Sequence, residues 1–303
     1  MSMMALAVYQ NNFTDKAAQK WQVKRLSSHI GAVVKGVELH KPLSVSDIAS
    51  LRGLLLQHQV LFFRDQEITP RQHRDLGLAF GSLHRHPVYP TVPDVPEAIV
   101  LDTAQNDLKD NALWHTDVTF SETPPMGAIL VARHLPEIGG DTLWASGTAA
   151  YDALSEPMKV HLDNLTALHD FTRSFPLSRF GRTEEERRRW AEIRNSHLPV
   201  EHPVIRVHPE TGQKAIFVNE GFTTEICDID AEESAALLAF LFRHMARPEF
   251  HMRWSWRAGD VAFWDNRITQ HYATDDYRPS RRIMHRITIL GDKPFGPADK
   301  PVL

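Results

Sequence analysis

Apolar and polar positions change their rhythm along the 303 residues, and the change falls near residue 97. Residues 1–22 show no period and are expected to form a flexible tail, leaving 23–303 as a single domain. The stretch IGAVVKGVEL, residues 30–39, alternates weakly, as a strand and its turn do. Ser46 can cap a helix that carries Ile48, Leu51, Leu54 and Leu55 on one face. VLFF at 60–63 then reads as a short buried strand, and Thr69 followed by Pro70 opens a second helix expected to run through Phe80.

Beyond residue 97 short apolar runs dominate. AIVLDT (98–103), WHTDVTF (114–120), GAILVAR (127–133), DTLWAS (141–146), VIRVH (204–208) and KAIFVN (214–219) all read as strands, the last two joined by the turn PETGQ. WSWR (254–257), DVAFW (260–264) and RRIMHRITIL (281–290) continue the series. Helices interrupt it at Thr183 and Asp230, each followed three residues later by a glutamate, Glu186 and Glu233, in the capping-box position. Strands outnumber strand-and-helix units, and no GxGxxG follows an early strand, so a doubly wound parallel sheet is disfavoured. The expectation is a mainly β fold with surrounding helices, built on a double-stranded β-helix, or jelly roll.

Composition narrows the function classes. A net charge of −4 without a long basic run gives no nucleic-acid surface, and no apolar run reaches the roughly 18 residues that a bilayer span needs. Neither a nucleic-acid nor a membrane partner is expected, and the location expected is cytoplasmic. The single cysteine, Cys227, can form neither an internal disulfide nor a cysteine zinc site and reads as a packing residue. Histidine is abundant, at 17 residues, so only spacing and company can single one out.

WHTDVTF supplies that spacing. Read as a strand, it sends His115 and Asp117 to one face and Thr116 to the other. An imidazole and a carboxylate on one face make a two-toothed clamp for a divalent first-row metal, although a plain hydrogen-bonded pair is the commoner meaning of the same motif. His271, 154 residues beyond Asp117, is the candidate third ligand; alone it would be an ordinary surface histidine. In RRIMHRITIL, Arg282, Met284, Arg286 and Thr288 share a strand face, opposite Ile283, His285, Ile287 and Ile289. Two arginines on a core-facing strand require anionic partners, either structural carboxylates or small anions bound near a metal.

Taken with ETPP (122–125), GGDTLWAS (139–146), FVNEGFTT (217–224), WDNRITQHYA (264–273), RRIMHRITILGDKPF (281–295) and HPVYP (86–90), these motifs resemble the Fe(II)- and 2-oxoglutarate-dependent dioxygenases, and within them the taurine dioxygenases. The resemblance runs from about residue 27 to the C-terminus. It implies a metal triad of His115, Asp117 and His271, with Thr142 and Arg282 holding the distal carboxylate of 2-oxoglutarate. It assigns sulfonate binding to Arg286, His86 and the backbone amide of Val118, and a pocket lining to Tyr89, Asn111, Phe175 and Phe222, with Asn111 on the amine side. Without the resemblance, Phe175 and Phe222 read as core aromatics, Asn111 as a turn residue and His86 as a surface histidine.

The implied reaction uses Fe(II), 2-oxoglutarate and O2 to hydroxylate the carbon beside the sulfonate of taurine. Sulfite and aminoacetaldehyde leave, with succinate and CO2 from the co-substrate, in the service of sulfur acquisition. A homo-oligomer, dimer or tetramer, is implied as well. The loosely matched loop QNDLKDNAL (105–113) borders the pocket and leaves the substrate open to other alkylsulfonates or alkyl sulfates. A zinc hydrolase with the same triad is the rival from another class, and a noncatalytic jelly-roll binding protein is a third reading.

Overall fold

The computed structural model describes residues 20–105 and 111–299. Of the tail expected over 1–22, residues 1–19 lie outside the described residues; Trp21 is buried and Gln22 already opens the first strand. Sixteen strands follow among the described residues: β1 (Gln22–Arg25), β2 (Ala32–Lys35), β3 (Val60–Phe63), β4 (Thr91–Val92), β5 (Val95–Asp102), β6 (Gly127–His134), β7 (Thr142–Ser146), β8 (Thr166–His169), β9 (Val200–Pro203), β10 (Ile205–Val207), β11 (Lys214–Ile216), β12 (Thr223–Ile226), β13 (His251–Trp254), β14 (Val261–Asp265), β15 (Thr269–Ala273) and β16 (Ile283–Ile289). The α-helices are α1 (Val45–His58), α2 (Pro70–Leu78), α3 (Gly147–Asp152), α4 (Glu156–Leu162), α5 (Leu177–Phe180), α6 (Glu184–Ser196) and α7 (Ala231–Met245).

Eight strands form the major sheet in the order β1-β2-β3-β14-β6-β16-β5-β4, and a smaller sheet, β13-β7-β15, carries the opposing wall. Side chains from both walls meet in one apolar cluster. Phe62 of β3 stacks on Trp254 of β13 with centroids 4.1 Å apart and meets Trp144 of β7 edge-on at 5.2 Å. Each such fully buried side chain stabilises the sandwich by roughly 1.5–3 kcal/mol, and Phe62→Ala would cost about 3–5 kcal/mol. The outer face of the major sheet is covered by α1 and α2 through Leu51, Leu54, Leu55 and Leu76. The predicted jelly roll is therefore the observed fold, with strands distant in sequence paired across two facing sheets.

Local punctuation explains where elements start. Helix α1 begins two residues earlier than expected, because Ser44, not Ser46, has an acid three residues on. The Ser44 hydroxyl accepts from Asp47 N at 3.2 Å, and Asp47 closes the reciprocal bond. Ser46 only meets the Ser44 hydroxyl. The boxes at Thr69, Thr183 and Asp230 all form, the first with Gln72, and α2 ends at Leu78 instead of Phe80. PETGQ makes the hairpin between β10 and β11. The strand expected at WSWR is displaced to His251–Trp254. Trp256 and Arg257 leave the ladder because Trp256 Nε1 donates to Thr142 Oγ1 at 3.0 Å and Arg257 N to Asp260 Oδ2 at 2.7 Å.

Candidate active site

His115 lies where the long loop before β6 touches β15. Its backbone N–H donates to His271 O at 3.0 Å, and His271 N–H donates back to His115 O at 2.8 Å. This isolated bridge holds the two imidazoles side by side, 4.1 Å between centroids. His271 is thus buried on a strand, not exposed in a polar loop. Gly221 packs against the bridge, where a Cβ would come within 2.8 Å of His115 Cβ, so the close approach requires glycine.

WHTDVTF is not the strand expected. Only His115 is bridged, and residues 117–120 form a turn in which Val118 has φ 57°, a left-handed conformation that β-branched residues seldom adopt. Asn266 accounts for the turn. Its Oδ1 accepts from Asp117 N at 2.9 Å while its Nδ2 donates to Asp117 O at 3.0 Å, so a side-chain amide takes the place of a neighbouring strand. The same-face rule for strands therefore does not position the pair. The side chains converge all the same: His115 Nε2 lies 3.9 Å from Asp117 Oδ1, and His271 Nε2 lies 3.9 Å from Asp117 Oδ2. One ligand atom from each residue falls within 4.8 Å of the others.

Protonation suits a metal at this point. Nδ1 of His115 faces Leu113 O at 2.8 Å, and that carbonyl can only accept, so Nδ1 carries a proton and Nε2 is the ring nitrogen turned toward Asp117. Burial, together with His115 beside it, pushes His271 well below the ordinary imidazole range, so it is neutral. Burial works the other way on Asp117, but the Arg286 guanidinium leads the charges that oppose it, and the carboxyl is held at about 2. Two imidazoles and an ionised carboxylate form a donor set for Fe(II) or a similar divalent ion. Asp117 Oδ2, buried and without a hydrogen-bond partner, is the atom such an ion would satisfy.

Both arginines of the core-facing row are buried, each 5% exposed, and their surroundings differ. Arg286 Nη1 donates to Asp117 Oδ1 at 2.5 Å, leaving Nε without a partner. Arg282 meets no carboxylate among the described residues. Its Nη2 donates to Thr142 Oγ1 at 3.3 Å, and its buried Nε is unpartnered. Thr142 Oγ1 already accepts from both Arg282 and Trp256 Nε1, which turns its own proton outward as a donor. A guanidinium held dry beside a hydroxyl donor is a seat for a carboxylate from outside the protein.

Arg286 lines a tight cavity of about 20 Å³ with His86, Tyr89, Asn111, Phe175 and Phe222, and His115, Asp117, Val118 and Ser174 complete the lining. Thr142 and Arg282 pair with each other outside that lining. His86 Nδ1 accepts from Val88 N at 3.2 Å, which leaves the proton on Nε2. Burial and the nearby Arg286 push His86 well below the ordinary imidazole range, so it is a neutral donor. The Val118 N–H has no hydrogen-bond partner among the described residues. Asn266, Trp256 and Ser174 were not anticipated from sequence. In the sequence Asn266 merely follows the run DVAFW, and nothing in the order of residues says that its amide would clamp a segment 149 positions away.

Comparison with known proteins agrees with this geometry. The sequence pattern described as the taurine catabolism dioxygenase TauD, TfdA family matches residues 22–288. The chain is 36% identical to an alpha-ketoglutarate-dependent sulfate ester dioxygenase of Pseudomonas putida, covering 98% of this chain and 96% of that protein. It is 35% identical to an alkylsulfatase of Acinetobacter baylyi, over 94% of this chain and 89% of the relative. In three dimensions it superposes on a taurine dioxygenase from Burkholderia xenovorans with a TM-score of 0.80 at 39% identity, covering 93% of each chain.

Proposed function

This chain belongs to the taurine catabolism dioxygenase TauD, TfdA family of Fe(II)- and 2-oxoglutarate-dependent dioxygenases, and we propose that it oxidises the carbon bearing a sulfonate or sulfate-ester group in a small substrate. When bound, Fe(II) with 2-oxoglutarate and O2 supplies the oxidising power that turns C–H into C–OH, the co-substrate leaving as succinate and CO2. His115, Asp117 and His271 would hold the iron. Arg282 and Thr142 would grip the distal carboxylate of 2-oxoglutarate. Arg286, the His86 Nε2–H and the Val118 N–H would take the sulfonate or sulfate, an anion at any physiological pH.

The observation that carries this reading is the pair of buried arginines flanking the triad, each with an unsatisfied Nε. Arg282 meets no carboxylate among the described residues and suits the co-substrate's carboxylate, while Arg286 shares Asp117 with the metal site and keeps spare donors for the substrate's anion. Tyr89, Phe175 and Phe222 exclude water from the reacting carbon, and the fixed guanidinium positions it. The hydroxylated product then collapses without help from the protein. A sulfonate gives an aldehyde and sulfite; a sulfate ester gives an aldehyde and sulfate.

Taurine fits this scheme with its amine near Asn111, and it would yield sulfite and aminoacetaldehyde. The alkyl sulfate ester is favoured by a specific observation. The walls beside Arg286 are aromatic, from Tyr89, Phe175 and Phe222, and suit an alkyl group next to the anion. The relatives named for sulfate esters and alkyl sulfates support the same choice. The test is turnover of a panel of taurine, alkylsulfonates and alkyl sulfates, scoring succinate together with sulfite or sulfate. Succinate formed in step with sulfate or sulfite is the expected result. Sulfate released without O2 and 2-oxoglutarate would instead identify a zinc hydrolase.

A further inference from the structure

Residues 117–120 turn through the interior outside any strand ladder, so side chains must supply hydrogen bonds that a neighbouring strand would otherwise give. Asn266 holds the Asp117 end. The next residue, Val118, keeps a left-handed backbone that is strained for a β-branched side chain, and such strain persists only where the surroundings fix both flanks. A second grip lies on the far flank. His202 Nε2, from β9, donates to the carbonyls of Thr119 and Ser121 at 3.0 and 2.9 Å. Thr119 Oγ1 meets His169 Nδ1, at the end of β8, at 2.9 Å and accepts from Asn219 Nδ2 at 3.2 Å. Thr119, His169, His202 and Asn219 are all buried.

Asn219 reaches further than the two histidines. Its Oδ1 accepts from Phe222 N at 3.0 Å, which fixes Nδ2 as the end turned to Thr119. Its own backbone is locked as well, since Asn219 N donates to Thr223 Oγ1 at 2.9 Å and Thr223 N donates to Asn219 O at 3.1 Å. One buried amide thus spans from the residue after Val118 to the backbone of Phe222. The rings of Phe120 and Phe222, 5.1 Å between centroids, pack beside it. Val118 and Phe222 both line the cavity at Arg286, and none of the Asn219 hydrogen bonds goes to a metal ligand.

We propose that Asn219 is a positioning residue for the reaction: its amide fixes the spacing between the Val118 N–H and the Phe222 ring, and through them the place of the reacting carbon. The inference rests on the preceding reading of the anion seat. With the anion on the Val118 N–H and the carbon against Phe222, a change in that spacing moves the C–H away from the metal site without removing any group that binds iron or 2-oxoglutarate. The co-substrate is then consumed in turnovers that miss the substrate.

The test uses the intact chain loaded with Fe(II) and 2-oxoglutarate. Under anaerobic conditions, hydrogen exchange of the peptide spanning 117–121 is read by mass spectrometry; in Asn219→Ala it should run roughly tenfold faster, with iron still bound at the wild-type stoichiometry. In air, with ascorbate as the reductant for turnovers that miss the substrate, succinate and released sulfate or sulfite are counted over the alkyl sulfate and sulfonate panel. The wild type should form them in equal amounts, and Asn219→Ala should form a severalfold excess of succinate. Unchanged exchange overturns the proposal, and so does faster exchange with the amounts still equal, which would make Asn219 purely structural. Should Asn219→Ala fail to fold, Thr119→Val, which deletes the hydroxyl that Asn219 grips, should show both changes and Thr119→Ser should reverse them; equal amounts in folded Thr119→Val, or the same excess in Thr119→Ser, overturn the proposal too. A wild-type chain that releases neither anion overturns the preceding reading instead, and the exchange rates then decide the role of Asn219 by themselves.

Discussion

Two clusters of buried charge sit back to back in this sandwich, one on either side of the β14–β15 turn, and they are finished differently. Behind the turn, Asp265 accepts from Arg267 through both oxygens at 2.9 and 2.6 Å and from His208 Nε2 at 3.1 Å. Arg267 Nη1 also donates to Glu210 at 2.7 Å, and Glu210 receives a two-pronged contact from Arg52. None of the side-chain atoms in this set is buried without a partner. In front of the turn, Asp117, His271, Arg282 and Arg286 each leave one such atom unsatisfied. A buried ionic group is costly unless paired, so a cluster that closes on itself is structural, and one left open is shaped for ions that arrive from outside.

The sharpest way to break this contrast is Asp265→Ala. Burial pushes the Asp265 carboxyl up, but Arg267 and His208 hold it far below the ordinary carboxylate range, so its charge is integral to the cluster. Removal strands Arg267, 3% exposed, without its main counter-ion, and unfolding by urea should show a loss of about 3–5 kcal/mol. Mutations in the open cluster should act on ligands instead. Arg282→Ala is expected to raise the KM for 2-oxoglutarate on the order of a hundredfold while leaving the sulfate or sulfonate Kd within about twofold. Arg286→Ala should do the reverse, as steady-state kinetics varied in each substrate will show. Equal losses for both ligands in either variant would refute separate anion seats.

Much of the open cluster is legible in the sequence, and the reasons are local. His115 and Asp117 stand two residues apart, and the period of two along RRIMHRITIL puts Arg282 and Arg286 on the core face, as observed. Helix starts are legible wherever a cap and its partner lie three residues apart; the one displaced start, Ser46 for Ser44, falls on a serine that lacks that partner. What is not legible depends on distant contacts. WHTDVTF has strand composition, yet Asn266 bends it into a turn and Val118 adopts a left-handed backbone. His271 looks exposed until β15 is seen paired to β7 in the interior.

Asn266 joins the two clusters and gives an intermediate effect. Asn266→Ala removes both bonds to the Asp117 peptide, and iron affinity should fall about tenfold, with Asn266→Asp restoring only the accepting half. A change in thermal stability with no change in iron affinity would place Asn266 wholly in the structural cluster. Buried histidines remote from both clusters set a pH dependence of stability instead. Burial, with Arg133 nearby, pushes His73 down to about 3, whereas in the unfolded chain it titrates at its ordinary value near 6.5. Below that pH the unfolded state takes up a proton that the folded state refuses, so stability is lost as pH falls from 6.5 toward 3, by about 1 kcal/mol per unit. Unfolding measured at pH 7, 6 and 5 should show this slope, and His73→Gln should reduce it.

The most direct test of the open cluster is an anaerobic Fe(II) titration of the wild-type chain and of Asp117→Ala, with circular dichroism to establish that both are folded. The wild-type protein should bind one iron per chain and, with 2-oxoglutarate and air, form succinate; Asp117→Ala should bind none and form none. Iron retained by the folded variant at full stoichiometry would contradict the assignment of His115, Asp117 and His271 as the metal site.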